Sequence, residues 1–254
     1  PDYWQQQVNY RIEASLDEEK KRITAKAVVE YINNSPMELP FLWLHLEQNL
    51  FRSKSMGAQS IEPGTRFGFR GFEGGFDITS VKAVDGPDLK LSVYDTVGRL
   101  ELPKPVAPKG GKFSFEIAWS FNIPPFGADR MGIDKVELGE IFELAQWFPA
   151  ACVYDDVYGW NTLPYLGSGE FYTNFGDFDV KLTVPRGHIV ASTGVLQNEG
   201  DVLTEEQRKR LAKARESDKP VVIVGQDEAG KAEMRPSGEG PLTWHFKAEK
   251  VRTF

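Results

Sequence analysis

Apolar and polar side chains alternate with a period of two along much of this chain. Val8, Tyr10, Ile12, Ala14 and Leu16 interleave with Asn9, Arg11, Glu13 and Ser15. Successive side chains of an extended backbone point to opposite sides, so the apolar set occupies one face of a strand. The charged run over 17–21 reads as a turn. Ile23, Ala25, Ala27, Val29 and Tyr31 resume the alternation until Asn33-Asn34-Ser35-Pro36, where proline removes a donor from the ladder. These two segments predict an opening hairpin. Leu42, Leu44 and Leu46 alternate with Phe41, Trp43 and His45; both sets are largely apolar, so this strand is expected to be covered on both faces. The same rhythm returns over 113–121, 178–184 and 242–248.

Glycine, proline and asparagine separate these runs, and no strand-helix-strand alternation appears. The pattern predicts an all-β protein, a sandwich or curved sheet, rather than a parallel α/β fold. One segment departs from it. Thr204-Glu205-Glu206-Gln207 is a capping box opening a run of good helix formers, which predicts a helix over about 203–217. Its apolar stripe is thin, as for a helix lying on a surface. No internal repeat and no low-complexity linker divides the chain, so 1–254 is read as a single domain.

Composition narrows the classes. At 254 residues with 41% hydrophobic and 26% charged residues, the chain can build a core and is not disordered as a whole. A formal charge of −7 repels phosphate backbones and argues against nucleic acid as a partner. Cys152 has no second cysteine to pair with. The longest aliphatic run, Val221-Val222-Ile223-Val224, is far short of the roughly 20 residues of a membrane helix, so no membrane span is expected. The chain begins as though a leader or an upstream region had been removed, and an extracytoplasmic location is the expectation.

Single motifs carry little chemistry. His45, His188 and His245 are scattered, without the H-E-x-x-H spacing that puts two imidazoles on one helical face; His45 and Glu47 are read as sharing a strand face. No metal ligand and no catalytic residue is assigned. Gly167-Ser168-Gly169-Glu170 lacks the strand-turn-helix setting of a nucleophile elbow, since the following 171–175 reads as strand. The run over 66–76 interleaves Arg, Gly and Phe and reads as a loop that pins itself to the sheet by its phenylalanines. Acidic residues gather at Asp155-Asp156 and at Asp177 with Asp179. Asp155 and Asp156, with Asn161 nearby, offer oxygen ligands to calcium, and paired carboxylates would serve a glycosidase, though Asp and Asn near Gly159 and Pro164 mark turns.

The stretch over 137–185 says more. It contains Glu140-Ile141-Phe142-Glu143-Leu144-Ala145-Gln146-Trp147-Phe148-Pro149, then Val153-Tyr154-Asp155-Asp156, Gly159-Trp160-Asn161, and a strand ending Leu182-Thr183-Val184-Pro185. In this order the motifs resemble the N-terminal domain of the gluzincin zinc aminopeptidases, the family of aminopeptidase N and leukotriene hydrolase. The opening hairpin and the closing strand fit as well, although that family usually has Asp where Thr253 stands.

The resemblance implies a saddle-shaped, largely antiparallel β domain that lies against a catalytic domain expected after residue 254. Zinc and its ligands would belong to that domain, with no cofactor in this chain. It also implies one substrate-binding residue on the strand before the aromatic-Pro turn, which holds the free amino end of a peptide. The family's spacing back from Pro149 lands on Glu140, with Glu143 as the next candidate. Two other classes compete: a β-sandwich module binding carbohydrate or protein through Trp and Tyr, and a scaffold relative lacking the zinc motif.

Overall fold

The structure, a computed structural model, describes residues 3–65, 70–128, 130–167 and 171–254. The alternating segments become strands β1 (Gln7–Asp17) and β2 (Arg22–Asn33), followed by β3 (Leu39–His45). Next come β4 (Asp77–Ala83), β5 (Leu91–Tyr94), β6 (Val97–Val106) and β7 (Gly111–Asn122). A hairpin of β8 (Gly132–Val136) and β9 (Gly139–Glu143) precedes the short pieces β10 (Ala150–Ala151), β11 (Tyr154–Asp155) and β12 (Gly159–Trp160). β13 (Gly176–Val184), β14 (Val195–Leu196) and β15 (Leu242–Val251) complete the strands. Helices are few: α1 (Met56–Ser60), α2 (Glu199–Val202) and α3 (Glu205–Arg215).

Seven strands form one sheet in the order β14-β15-β13-β1-β2-β7-β4, and four form a second in the order β10-β3-β6-β5. Among the described residues the strand pairings are antiparallel except β1 with β13, which run parallel from Tyr10↔Phe178 to Ser15↔Thr183, extended by an isolated parallel bridge Gln7↔Phe175. The all-β, antiparallel-dominated expectation holds, with that one parallel seam added.

The predicted faces are the buried faces. Val8, Tyr10, Ile12 and Ala14 of β1, Ile23 to Tyr31 at every second position of β2, and Phe115, Ile117, Trp119 and Phe121 of β7 all lie in the core. They meet Leu39, Leu42, Leu44 and Leu46 beneath the second sheet. Trp119 donates its indole N–H to the carbonyl of Trp147 at 3.1 Å, and the Ala151 amide donates to the Tyr10 hydroxyl at 2.9 Å, so the aromatic-Pro segment is fastened to the first sheet. A second cluster, Val184, Leu242, Trp244 and Phe246, is covered by Val202 and Leu203. The capping box at Thr204 and Gln207 is formed, and only Gln207 of α3 is buried.

Some expectations need correction. Residues 171–175 are not a strand; only Phe175 makes an isolated bridge, to Gln7. Their aromatics instead pack on other loops, as Phe171 does on Tyr165, so apolar content there reflects loop packing rather than sheet. His45 and Glu47 do not share a strand face, because β3 ends at His45 and Glu47 opens a 3-10 turn, Glu47–Phe51. Of the tryptophans, Trp119, Trp147 and Trp244 are buried, while Trp4, Trp43 and Trp160 are half-buried.

Within the Arg-Gly-Phe run, residues 66–69 lie outside the described residues. Phe76 is buried and meets Phe121 edge-on at 5.7 Å, and Phe72 packs on Phe51 and Phe126. Over 70–76 this is the pinned loop the composition suggests. Residues 168–170 of the Gly-Ser-Gly-Glu motif also lie outside.

Candidate functional site

The two core clusters sit on one face of the seven-stranded sheet and, among the described residues, are bridged by Leu16 and Phe254, which pack against both. A groove of about 520 Å³ opens near this junction, floored by Ala14, Leu16, Ile23 and Leu182 and roofed by Phe142. It shares a wall with a wider cleft of about 1100 Å³ that runs between β9, the stretch over 185–188 and the loop over 230–238. Glu140, Phe142 and His188 belong to both.

Alternation on β9 sorts the two sequence candidates. Glu140 and Phe142 face inward and are half-buried, whereas Ile141 and Glu143 are exposed. Glu143 lines neither cavity. The structure therefore brings Glu140 to the cleft and leaves Glu143 on the outer face, a consequence of the three-residue offset between them.

The Glu140 carboxylate is not alone there. Its Oε2 accepts from the Lys21 ammonium, with the side chains 27% and 35% exposed respectively. The same ammonium lies 5.3 Å from the centroid of the Phe142 ring. Phe142 in turn meets the His188 ring edge-on at 5.6 Å, and His188 Nε2 is 2.5 Å from the Glu18 carboxylate. Glu18 and Lys21 both come from the β1–β2 turn, so that turn supplies one side of the site, β9 the second and the segment after β13 the third. Lys21 is held in the left-handed region at φ 54°, and its carbonyl accepts the Ile123 amide at 2.8 Å, which fixes where its side chain starts.

The rest of the wider cleft mixes charge. Arg186 spends its guanidinium on the carbonyls of Pro236, Glu239 and Gly240, and so ties the 236–240 loop in place. Arg235 is 4% exposed and donates to the Val202 carbonyl at 2.9 Å while lying over the Trp244 ring. These arginines build the wall. The accessible functional groups lining the cleft are the carboxylates of Glu140, Glu18 and Glu233, the imidazole of His188 and the Lys231 ammonium; the Lys21 ammonium reaches the Glu140 carboxylate but lines neither cavity. Sequence reading missed Glu18 and Lys21 because they sit in a run of six charged residues, Asp17 to Arg22, where nothing marks which one turns inward, and it left His188 among scattered histidines.

The other carboxylates do different work. Asp155 Oδ1 accepts from the amides of Val157 and Tyr158 at 2.9 and 2.8 Å, and Oδ2 from the Tyr172 hydroxyl, which makes it a turn cap. Asp179 binds His245 and Lys247 at 2.7 and 3.3 Å; burial raises its pKa, but the hydrogen bonds from these two side chains outweigh that and hold it below the usual carboxylate range. Among the described residues no group of three or more His, Cys, Asp or Glu is placed to hold a metal ion, and no helix is long and apolar enough to cross a membrane.

No protein-family model matches the chain, and no curated protein does. Among solved structures it is similar to an M1 zinc metallopeptidase from Deinococcus radiodurans, at 11% identity and a TM-score of 0.47, over 96% of this chain and 39% of that one. A two-domain M1 zinc metallopeptidase bound to L-arginine is similar at 11% identity and a TM-score of 0.48, over 98% and 40%. The chain thus spans about two fifths of the length of the solved structures it matches.

Proposed function

We propose that this chain is the non-catalytic β domain of a zinc-dependent, aminopeptidase-like metallopeptidase, and that its own contribution to the chemistry is to bind the free amino end of a peptide through Glu140. The ordered motifs over 137–185 support the family reading. One observation carries the site: of the two candidate glutamates, Glu140 faces a cleft, and its carboxylate there already holds a primary ammonium, that of Lys21. A peptide's α-ammonium is the same kind of donor, and a carboxylate binds it by a charge-assisted hydrogen bond, stronger than a neutral acceptor's. The neighbouring groove, with Leu16, Phe142 and Val184 in its wall, suits an apolar side chain next to that amino end.

On this reading, zinc, its ligands and the general base lie in another domain of the protein. The purified 254-residue chain is then expected to retain no stoichiometric zinc and to leave aminoacyl anilides intact, while the full-length protein does both. Metal analysis and an anilide assay on the two proteins check this. Zinc held by the chain alone, or turnover by it that a chelator stops, contradicts the proposal.

A binding-module reading draws on a different place. Tyr3 and Tyr158, 75% and 88% exposed, stand on the side of the molecule where Trp4 stacks on Tyr154 at 5.7 Å, and Tyr3 and Trp4 line a hollow of about 160 Å³. Glycan binding by the chain that is lost on Tyr3→Ala or Trp4→Ala would favour that reading.

A further inference from the structure

We propose that Lys21 is a tethered competitor for the amino-end subsite: its ammonium occupies Glu140, and an incoming peptide must displace it. This rests on the reading of Glu140 above and adds a residue that sets how readily that subsite accepts a ligand.

The ammonium of lysine is a compact point charge with three donors, so to a carboxylate it is the chemical equivalent of a peptide's α-ammonium. It meets two groups of β9, the carboxylate of Glu140 and the ring of Phe142, which project from the same strand face. Both of those residues also line the two cavities. Lys21 lines neither cavity itself, but its ammonium sits on the carboxylate and against the aromatic ring that do, which is where a ligand's amino group would be placed. Its backbone is fixed by the turn and by the Ile123 amide, so the position does not depend on a mobile loop. A second cation brought to the same carboxylate is repelled by the first. The ligand binds only the fraction of molecules in which Lys21 has let go, which lowers its apparent affinity by that fraction.

The other role open to Lys21 is a latch that fastens the β8–β9 hairpin to the β1–β2 turn. The two roles differ in sign. Losing a competitor tightens binding; losing a latch lets β9 drift and weakens it.

Leucinamide, which has a primary α-ammonium and no carboxylate, is the probe. N-acetyl-leucinamide, which lacks the ammonium, is its control. Both are titrated into the 254-residue chain, with the carboxylate carbon of Glu140 followed by NMR. Leucinamide is expected to bind Lys21→Met about two- to fivefold more tightly than the unaltered chain, the ratio a partly exposed ion pair is worth, and the acetylated control is expected to gain nothing. Lys21→Gln, which also lacks the charge but stays polar, should behave alike. Unchanged or weaker binding in both variants overturns the inference. If leucinamide binding falls with Glu140→Gln but ignores Lys21, the competitor role alone fails. If binding is absent or indifferent to Glu140→Gln, the amino-end reading fails and the competitor role with it.

Discussion

His45 shows how a single buried side chain makes the whole fold sensitive to acid. It ends β3, is 9% exposed, and is flanked across the sheet by Ala150 and Val97. Burial strips water from the imidazolium and lowers its pKa from 6.5 to about 4. In the unfolded chain the ring takes up a proton near pH 6.5. Between those two values the unfolded state binds the extra proton, so stability rises with pH. The contribution is complete above about pH 6.5 and is lost as the pH falls towards 4, by roughly 3 kcal/mol in all. Urea midpoints measured from pH 7 to pH 4 should therefore fall more steeply for the unaltered chain than for His45→Leu. Parallel slopes would mean that His45 is hydrated or charged in the folded state. The sequence placed His45 on an apolar strand, which is why its burial was legible; the shared strand face with Glu47 was a misreading, because β3 ends at His45 and the end of a strand is set by the turn that follows.

Among the elements, the parallel seam between β1 and β13 joins the two halves of the seven-stranded sheet. It starts at Gly176, where a Cβ would lie 1.6 Å from the carbonyl oxygen of Val8. Val8 donates its amide to Phe175 at 3.1 Å, and Asn9 accepts the Asp177 amide at 3.0 Å. No side chain fits between these backbones, so Gly176→Ala is expected to part the strands and to cost about 1–3 kcal/mol, read as a lower urea midpoint. An unchanged midpoint would show that the seam tolerates a shift.

The strands themselves were legible where period two was clean, as in β1, β2, β7, β13 and β15. β6 was not: Pro103 and Pro105 interrupt its pattern, and they fall between its pairings at Glu101 and Val106, where the register with β3 shifts. The seam was illegible for another reason. Its partners, such as Asn9 and Asp177, are 168 residues apart, and local periodicity holds no information about which distant strand lies alongside.

At the scale of the molecule, the candidate site arises from this long-range topology. The β1–β2 turn, β9 and the stretch after β13 meet near the junction of two core clusters, and each brings one or two of the groups Lys21, Glu18, Glu140, Phe142 and His188 together. Glu140 entered as a candidate, with Glu143 beside it, through the resemblance alone, whose spacing is counted back from Pro149. The partners around it could not be picked, since charge in a turn and a lone histidine carry no address. A net charge of −7 and a cleft lined by the carboxylates of Glu18, Glu140 and Glu233 suit a cationic amino end more than an anionic ligand.

The most direct test of the account is the Michaelis constant of the full-length protein for an aminoacyl anilide, compared with that of Glu140→Ala. A charge-assisted hydrogen bond of about 1.5 kcal/mol corresponds to a rise of roughly tenfold, with Glu143→Ala, on the outer face of β9, leaving the value where it was. A Michaelis constant unmoved by Glu140→Ala would contradict the assignment of the amino-end subsite to this cleft.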